Sequence, residues 1–167
     1  MTSEGSAHPL AGLQGVPLRL GAGVKRAEQA LMARKGKALR GVGLTVPQYA
    51  VLLHLVEKPG MSGAQLARAT AVTPQTMTTV LGNLEAKGLI GRETSEAHSK
   101  VLVTRLTPAG EVLVRRADEL AVQVEAELWD AFAPDERERF RAYLERAVAV
   151  MEMTGNSQTA HTDIEKN

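Results

Sequence analysis

The sequence predicts a mainly α-helical fold carrying one small β-hairpin, and three observations predict it. Apolar residues recur at helical spacing over most of its 167 residues. One stretch, 89–106, changes to short runs rich in Leu, Ile and Val at strand spacing. Hydroxyl residues or prolines stand where the helical stretches after the first begin. The length and a 44% hydrophobic content suit one domain with its own core. Cysteine is absent, which excludes a disulfide framework, thiol catalysis and a Cys-ligated metal. The apolar runs fall far short of the ~20 residues that cross a bilayer, so no membrane partner is expected. The opening MTSEGSAHPL lacks the charged start and apolar stretch of a secretory signal, so a cytoplasmic location is the default expectation.

Residues 1–15 and 154–167 read as flexible tails, polar and without periodicity. A first helix is expected over 16–40, with Leu20, Val24, Ala27, Leu31, Met32 and Leu39 on one side. Gly41-Val42-Gly43 ends it. Thr45 caps a second helix, with Pro47 tolerated in the first turn. Through Val56 its apolar residues point in every direction, which predicts a helix enclosed on most sides. After Lys58-Pro59-Gly60, Ser62 and Gln65 form a capping-box pattern that opens a short helix through Leu66 and Ala69. The turn Thr70–Thr73 leads to Pro74 at the head of another helix, which stops at Lys87-Gly88. Leu89–Glu93 and Val101–Leu106 are strand candidates around the polar segment Thr94–Lys100. Thr107-Pro108 starts a helix to about Phe132, about 39 Å long at 1.5 Å per residue, and a last helix follows Ala133-Pro134 to near Met153. A helix of that length outreaches a globule of ~15 Å radius of gyration, so a second copy of the chain is the expected partner.

A short helix, a tight turn, a helix headed by Pro and a hairpin together describe a winged helix-turn-helix. On a helical wheel Met77, Val80, Leu81 and Leu84 fall on one side, and Gln75, Thr78, Thr79, Gly82 and Asn83 on the other, with Thr76 on the flank. The open side is short, uncharged, and rich in hydroxyls and amides. Gln and Asn amides suit adenine, and Thr offers a hydroxyl plus a methyl for thymine. A solvated surface helix has the same two-sided pattern. Threonine is a poor choice for a helix that has only to be soluble, and this favours a base-reading surface.

The blocks GLTVPQYAVLLHL (43–55), LARATAVTPQTMTTVLGNLEAKGLIGR (66–92) and LTPAG (106–110), in this order and spacing, resemble the multiple antibiotic resistance regulator (MarR) family over about 16–153. The resemblance implies a dimeric winged-helix transcription regulator, in most members a repressor, that binds double-stranded DNA at pseudo-palindromic operators. Many members are released by small phenolic or other aromatic effectors bound between the dimerisation and DNA-binding parts. It implies N-terminal (16–44) and C-terminal (107–153) dimerisation helices around a DNA-binding region at 45–106. Thr73–Leu84 would be the recognition helix, with Gln75, Thr79 and Asn83 facing bases, and Thr76 and Thr78 at the rim, within reach of bases or phosphates. Thr79 and Asn83 stand where relatives often carry Arg, so fewer phosphate contacts and an A/T-leaning half-site are expected. In the wing, His98-Ser99-Lys100 replaces the family's Asp-Arg-Arg triplet. His98 would then shape the wing and Lys100 supply the cation for a narrow A/T minor groove. A mobile surface loop is the plainer alternative. Arg92 starts the wing and is assigned a phosphate contact, a solvated Arg being the competing view.

His54 on the second helix is a candidate effector contact, although a satisfied core histidine is the commoner role for such a residue. Four histidines, two of them in the tails, give no metal-ligand spacing, and no cofactor loop is present, so neither metal nor cofactor is expected. The few aromatics read as core and interface rather than as a ligand cage. Residues 16–40 hold seven basic groups against one acid, and 111–153 hold eleven acids against six basic groups. In a family-type dimer these segments would face each other across subunits, each exposed pair worth ~0–1 kcal/mol. The expected interface core is Leu113, Leu120, Val124, Leu128, Leu144 and Val148. An enzyme is not expected, since no catalytic constellation stands out. The rival reading is a winged-helix protein-interaction module without sequence-specific DNA binding, suggested by the thin positive charge of the reading face.

Overall fold

The computed structural model describes residues 19–94 and 102–162, with side chains described as far as Met153. Helix α1 spans Leu20–Arg40, with Lys37 and Arg40 in its last turn, where cations offset the exposed carbonyls. The chain then turns through Gly43 at φ 73°, a conformation that costs a residue with a Cβ but not glycine. Helix α2, Val46–Glu57, is opened by a capping box. The Gln48 amide N–H donates to the Thr45 hydroxyl at 3.4 Å, and the Thr45 N–H donates to Gln48 Oε1 at 3.0 Å. The same device at Ser62 and Gln65, at 3.3 and 2.8 Å, starts α3 (Gly63–Ala69). Helix α4 is Pro74–Ala86, followed by Gly88 at φ 68°. Helices α5 (Pro108–Asp130) and α6 (Pro134–Thr162) follow further along the chain.

Three strands form one antiparallel sheet in the order β1-β3-β2. The hairpin strands β2 (Ile90–Thr94) and β3 (Leu102–Leu106) pair Ile90 with Leu106 and Arg92 with Thr104. The third strand, β1 (Met61–Ser62), was not expected; it adds Met61 opposite Thr104 on the other edge of β3. Two residues carry too little periodicity to be read as a strand.

The chain divides into two compact units at Val124, within α5. The first is built around α2, which packs on α1, α3, α4 and β3. Leu39, Leu44, Val51, Leu52, Leu55, Leu66, Met77, Leu81 and Leu84 are among its fully buried residues. Each such side chain contributes about 1.5–3 kcal/mol of burial. Of the apolar residues Val46, Tyr49, Ala50, Val51, Leu52, Leu53, Leu55 and Val56 on α2, only Val56 is exposed. In the second unit Phe132 and Phe140 stack with centroids 5.2 Å apart. The Arg137 guanidinium lies 4.6 Å from the Trp129 ring centroid, and its Nε donates to the Trp129 carbonyl at 2.7 Å.

One end differs from expectation. Helix α6 continues to Thr162 instead of stopping near Met153. Residues 154–162 contain one glycine and no proline, so loss of apolar periodicity there was not a stop signal. Of the expected interface core, Val124 is buried, and Leu113 packs against the core of the first unit. Leu128, Leu144 and Val148 are exposed, as are Tyr143 and Met151.

The start of α5 is fastened to the hairpin. The Thr107 N–H donates to the Leu89 carbonyl at 3.1 Å, and its hydroxyl donates to the Gly88 carbonyl at 2.7 Å. The same hydroxyl oxygen accepts from the Gly110 N–H at 3.1 Å. Gly110 is buried, and a Cβ there would overlap the Leu89 carbonyl oxygen. This is the physical content of the LTPAG block: the threonine caps α5, and the glycine lets the helix lie against the backbone that ends α4.

Candidate nucleic-acid interface

Helix α3 hands over to α4 through a turn in which the Thr70 and Val72 N–H groups donate to the Leu66 and Ala67 carbonyls, each at 3.0 Å. Ala71 adopts φ 53°, a left-handed conformation that costs an alanine roughly 1–2 kcal/mol. Val72, packed against the core, holds the turn in place. Thr73 then caps α4, its hydroxyl accepting from the Thr76 N–H at 3.1 Å, with Pro74 in the first turn.

The wheel split of α4 is realised. Met77, Val80, Leu81 and Leu84 are buried, while Gln75, Thr76, Thr78, Thr79, Gly82 and Asn83 are all exposed. No charged residue lies between Pro74 and Asn83. The structure adds what the pattern could not supply, the state of the hydroxyls. Thr78 donates to the Pro74 carbonyl at 3.0 Å and Thr79 to the Gln75 carbonyl at 3.3 Å. The Thr73 and Thr76 hydroxyls bond each other at 2.9 Å.

The end of α4 is tied to the α1–α2 connection by a contact that sequence reasoning missed. Lys87 Nζ donates to the Gly43 carbonyl at 2.7 Å and reaches Gln48 Oε1 at 3.4 Å. The Gln48 side chain, buried and polar, therefore serves both the cap of α2 and the end of α4.

On the hairpin, Arg92 and Thr104 share the sheet face that also carries Ile90 and Leu106. Thr104 is 0% exposed. Its hydroxyl oxygen and Arg92 Nε are both buried without a hydrogen-bond partner among the described residues. Arg92 is thus half-buried at its stem rather than a fully solvated side chain. Strand alternation from buried Ile90 was the available signal, since it places Arg92 on the core side. On the opposite face, Arg105 Nε donates to Glu93 at 2.6 Å, so this cation is paired with an acid. His98, Ser99 and Lys100 lie outside the described residues.

His54 sits on α2 with its side chain 34% exposed and Nδ1 3.8 Å from a Glu57 carboxylate oxygen. It is neither enclosed nor part of the α4 surface. One turn earlier on α2, the Tyr49 hydroxyl donates to Asp118 Oδ1 at 2.6 Å, tying α2 to α5; this bond was not anticipated. Among the described residues no group of three or more His, Asp or Glu could hold a metal ion. No helix among them is long and apolar enough to cross a membrane.

A helix-turn-helix whose second helix is open on one side, flanked by a three-stranded sheet, defines a winged helix-turn-helix protein. Comparison with known proteins gives its family. The MarR family model matches residues 42–100. The HTH-type transcriptional repressor Rv2887 of Mycobacterium tuberculosis is 36% identical over 109 residues, 65% of this chain and 78% of the relative. A crystal structure of Rv2887 in complex with p-aminosalicylic acid matches with a TM-score of 0.64 at 34% identity, covering 77% of this chain and 97% of that one. Its complex with DNA matches with a TM-score of 0.65 at 32% identity, covering 77% and 96%. The chain belongs to the MarR family of transcriptional regulators.

Proposed function

We propose that this protein is a cytoplasmic, homodimeric transcriptional repressor that places α4 of each copy in successive major grooves of a pseudo-palindromic operator. The observation that carries the reading is the two-sided α4: four buried apolar residues fix the helix, and an exposed, uncharged row faces outward. A major groove about 12 Å wide admits such a helix. Two-fold symmetry sets the two copies one helical turn, ~34 Å, apart. Gln75, Thr79 and Asn83 face the bases. Thr73, Thr76 and Thr78 form the rim, where Thr76 and Thr78 are within reach of bases or phosphates. Arg92, His98, Ser99 and Lys100 belong to the wing, Arg92 and Lys100 directed at the backbone and the minor groove.

Residues 16–44 and 107–153 are assigned to dimerisation and 45–106 to DNA binding. The exposed apolar side chains Leu128, Tyr143, Leu144, Val148 and Met151 support a covered surface in the dimer. The complex of Rv2887 with p-aminosalicylic acid supports an aromatic acid as the effector class. His54 is the candidate contact for it. The effector acts by binding more tightly to a state in which the two α4 helices no longer match the operator spacing.

The test is a mobility shift with the DNA upstream of the protein's own gene, at low salt and against random competitor DNA. Sequence-dependent retardation by a dimer, released by salicylate-type acids, is the expected result. Retardation indifferent to sequence, or none, would favour the protein-interaction module instead. His54→Ala should leave DNA affinity unchanged while weakening the response to the acid.

A further inference from the structure

The exposed threonines of α4 offer a different chemistry from the one their residue type suggests. In a helix Thr has two accessible side-chain rotamers, and here Thr78 and Thr79 use one that turns the oxygen back onto the preceding turn. Each proton is thereby engaged by a carbonyl four residues earlier. What remains for a ligand is the methyl group, together with oxygen lone pairs that can accept but have no proton to donate. Guanine presents only acceptors, N7 and O6, along its major-groove edge. A threonine in this state has nothing to give them. Thymine presents a methyl, against which a second methyl can pack. Gly82, one turn from both threonines, has nothing within 4 Å of the place a Cβ would occupy, so no bulk on that side holds the groove away.

We propose that Thr78 and Thr79 select thymine by methyl-to-methyl contact, and that their hydroxyls serve the helix rather than the base. This rests on the DNA-binding reading above and names the base feature that α4 recognises.

The experiment begins with selection of bound duplexes from a random pool by the full-length protein. The selected sequence is then rebuilt with deoxyuridine for thymidine, which removes only the methyl. Affinity should fall about fourfold for each thymine contacted, the value of one buried methyl group. Thr79→Ser and Thr78→Ser should weaken the thymidine duplex by a similar factor and lose their sensitivity to deoxyuridine at the matching position. Thr79→Val and Thr78→Val, which keep a methyl, should bind more tightly than the Ser variants and keep that sensitivity. All four changes lie at exposed positions, so folding should be undisturbed, as circular dichroism will show. Equal affinity for thymidine and deoxyuridine duplexes would overturn the proposal while leaving the DNA-binding reading intact, as would Val variants as weak as the Ser variants. A pool that yields no enriched sequence overturns both.

Discussion

Replacing glycine by alanine inside a helix ordinarily stabilises it by up to about 1 kcal/mol, because the backbone loses less freedom on folding. At Gly110 the sign should reverse. A Cβ there would overlap the Leu89 carbonyl oxygen, a backbone atom with no rotamer to move it aside. The first turn of α5 must shift away, which stretches the three hydrogen bonds made by Thr107 to Gly88, Leu89 and Gly110. At about 0.5–1.5 kcal/mol each, less a helix-propensity gain of about 1 kcal/mol, Gly110→Ala should destabilise by about 0.5–3.5 kcal/mol. For a chain of this size that lowers the melting temperature by roughly 2–4 °C per kcal/mol. Gly82→Ala is the control, a helical glycine in the interior of α4 with nothing within 4 Å of its Cβ position, and it should raise stability by about 0.5–1 kcal/mol. Urea unfolding followed by circular dichroism, with both variants beside the wild type, reads the two shifts. Equal shifts of the same sign would refute the reasoning, since helix propensity alone would then explain both sites.

Other substitutions separate the remaining roles. Gln75→Ala and Asn83→Ala should each cost about 1–3 kcal/mol on the selected operator and little on random DNA, measured by anisotropy titration. Lys100→Ala should weaken both by the same factor. The uncharged face of α4 should give a salt dependence shallower than that of relatives with Arg in the recognition helix, since each phosphate contact adds about 0.9 to the slope of log affinity against log salt. Tyr49→Phe, which leaves the Asp118 carboxylate without its donor, should cost about 1–3 kcal/mol in urea unfolding. Lys87→Met removes the bond to the Gly43 carbonyl; it should lower stability by about 1 kcal/mol and also lower operator affinity by loosening the end of α4.

What the sequence revealed and what it concealed follow one physical division. The capping box at Ser62, the proline at the head of α4, the glycine that ends it and the buried row Met77, Val80, Leu81, Leu84 are local rules written in neighbouring residues. They sufficed to place α3, the turn, α4 and the hairpin, and so the reading surface. The contacts that fasten this surface join residues far apart in the chain: Lys87 to Gly43, Tyr49 to Asp118, and Met61 opposite Thr104. No periodicity announces such pairs. Arg92 lies between these cases, since alternation from Ile90 already places its stem on the core side. The threonine hydroxyls were invisible for another reason. The residue type names a donor, whereas only the backbone geometry shows that Thr78 and Thr79 have already spent their protons on Pro74 and Gln75.

Paired copies of α4 that enter neighbouring major grooves through their uncharged face would leave a paired footprint on the selected duplex, and footprinting is the measurement that decides between this arrangement and any other. Two protected segments centred about one helical turn, ~34 Å, apart should appear with the wild type, and Gln75→Ala should weaken both together at the same protein concentration. A single protected segment, or a paired footprint indifferent to Gln75→Ala, would contradict it.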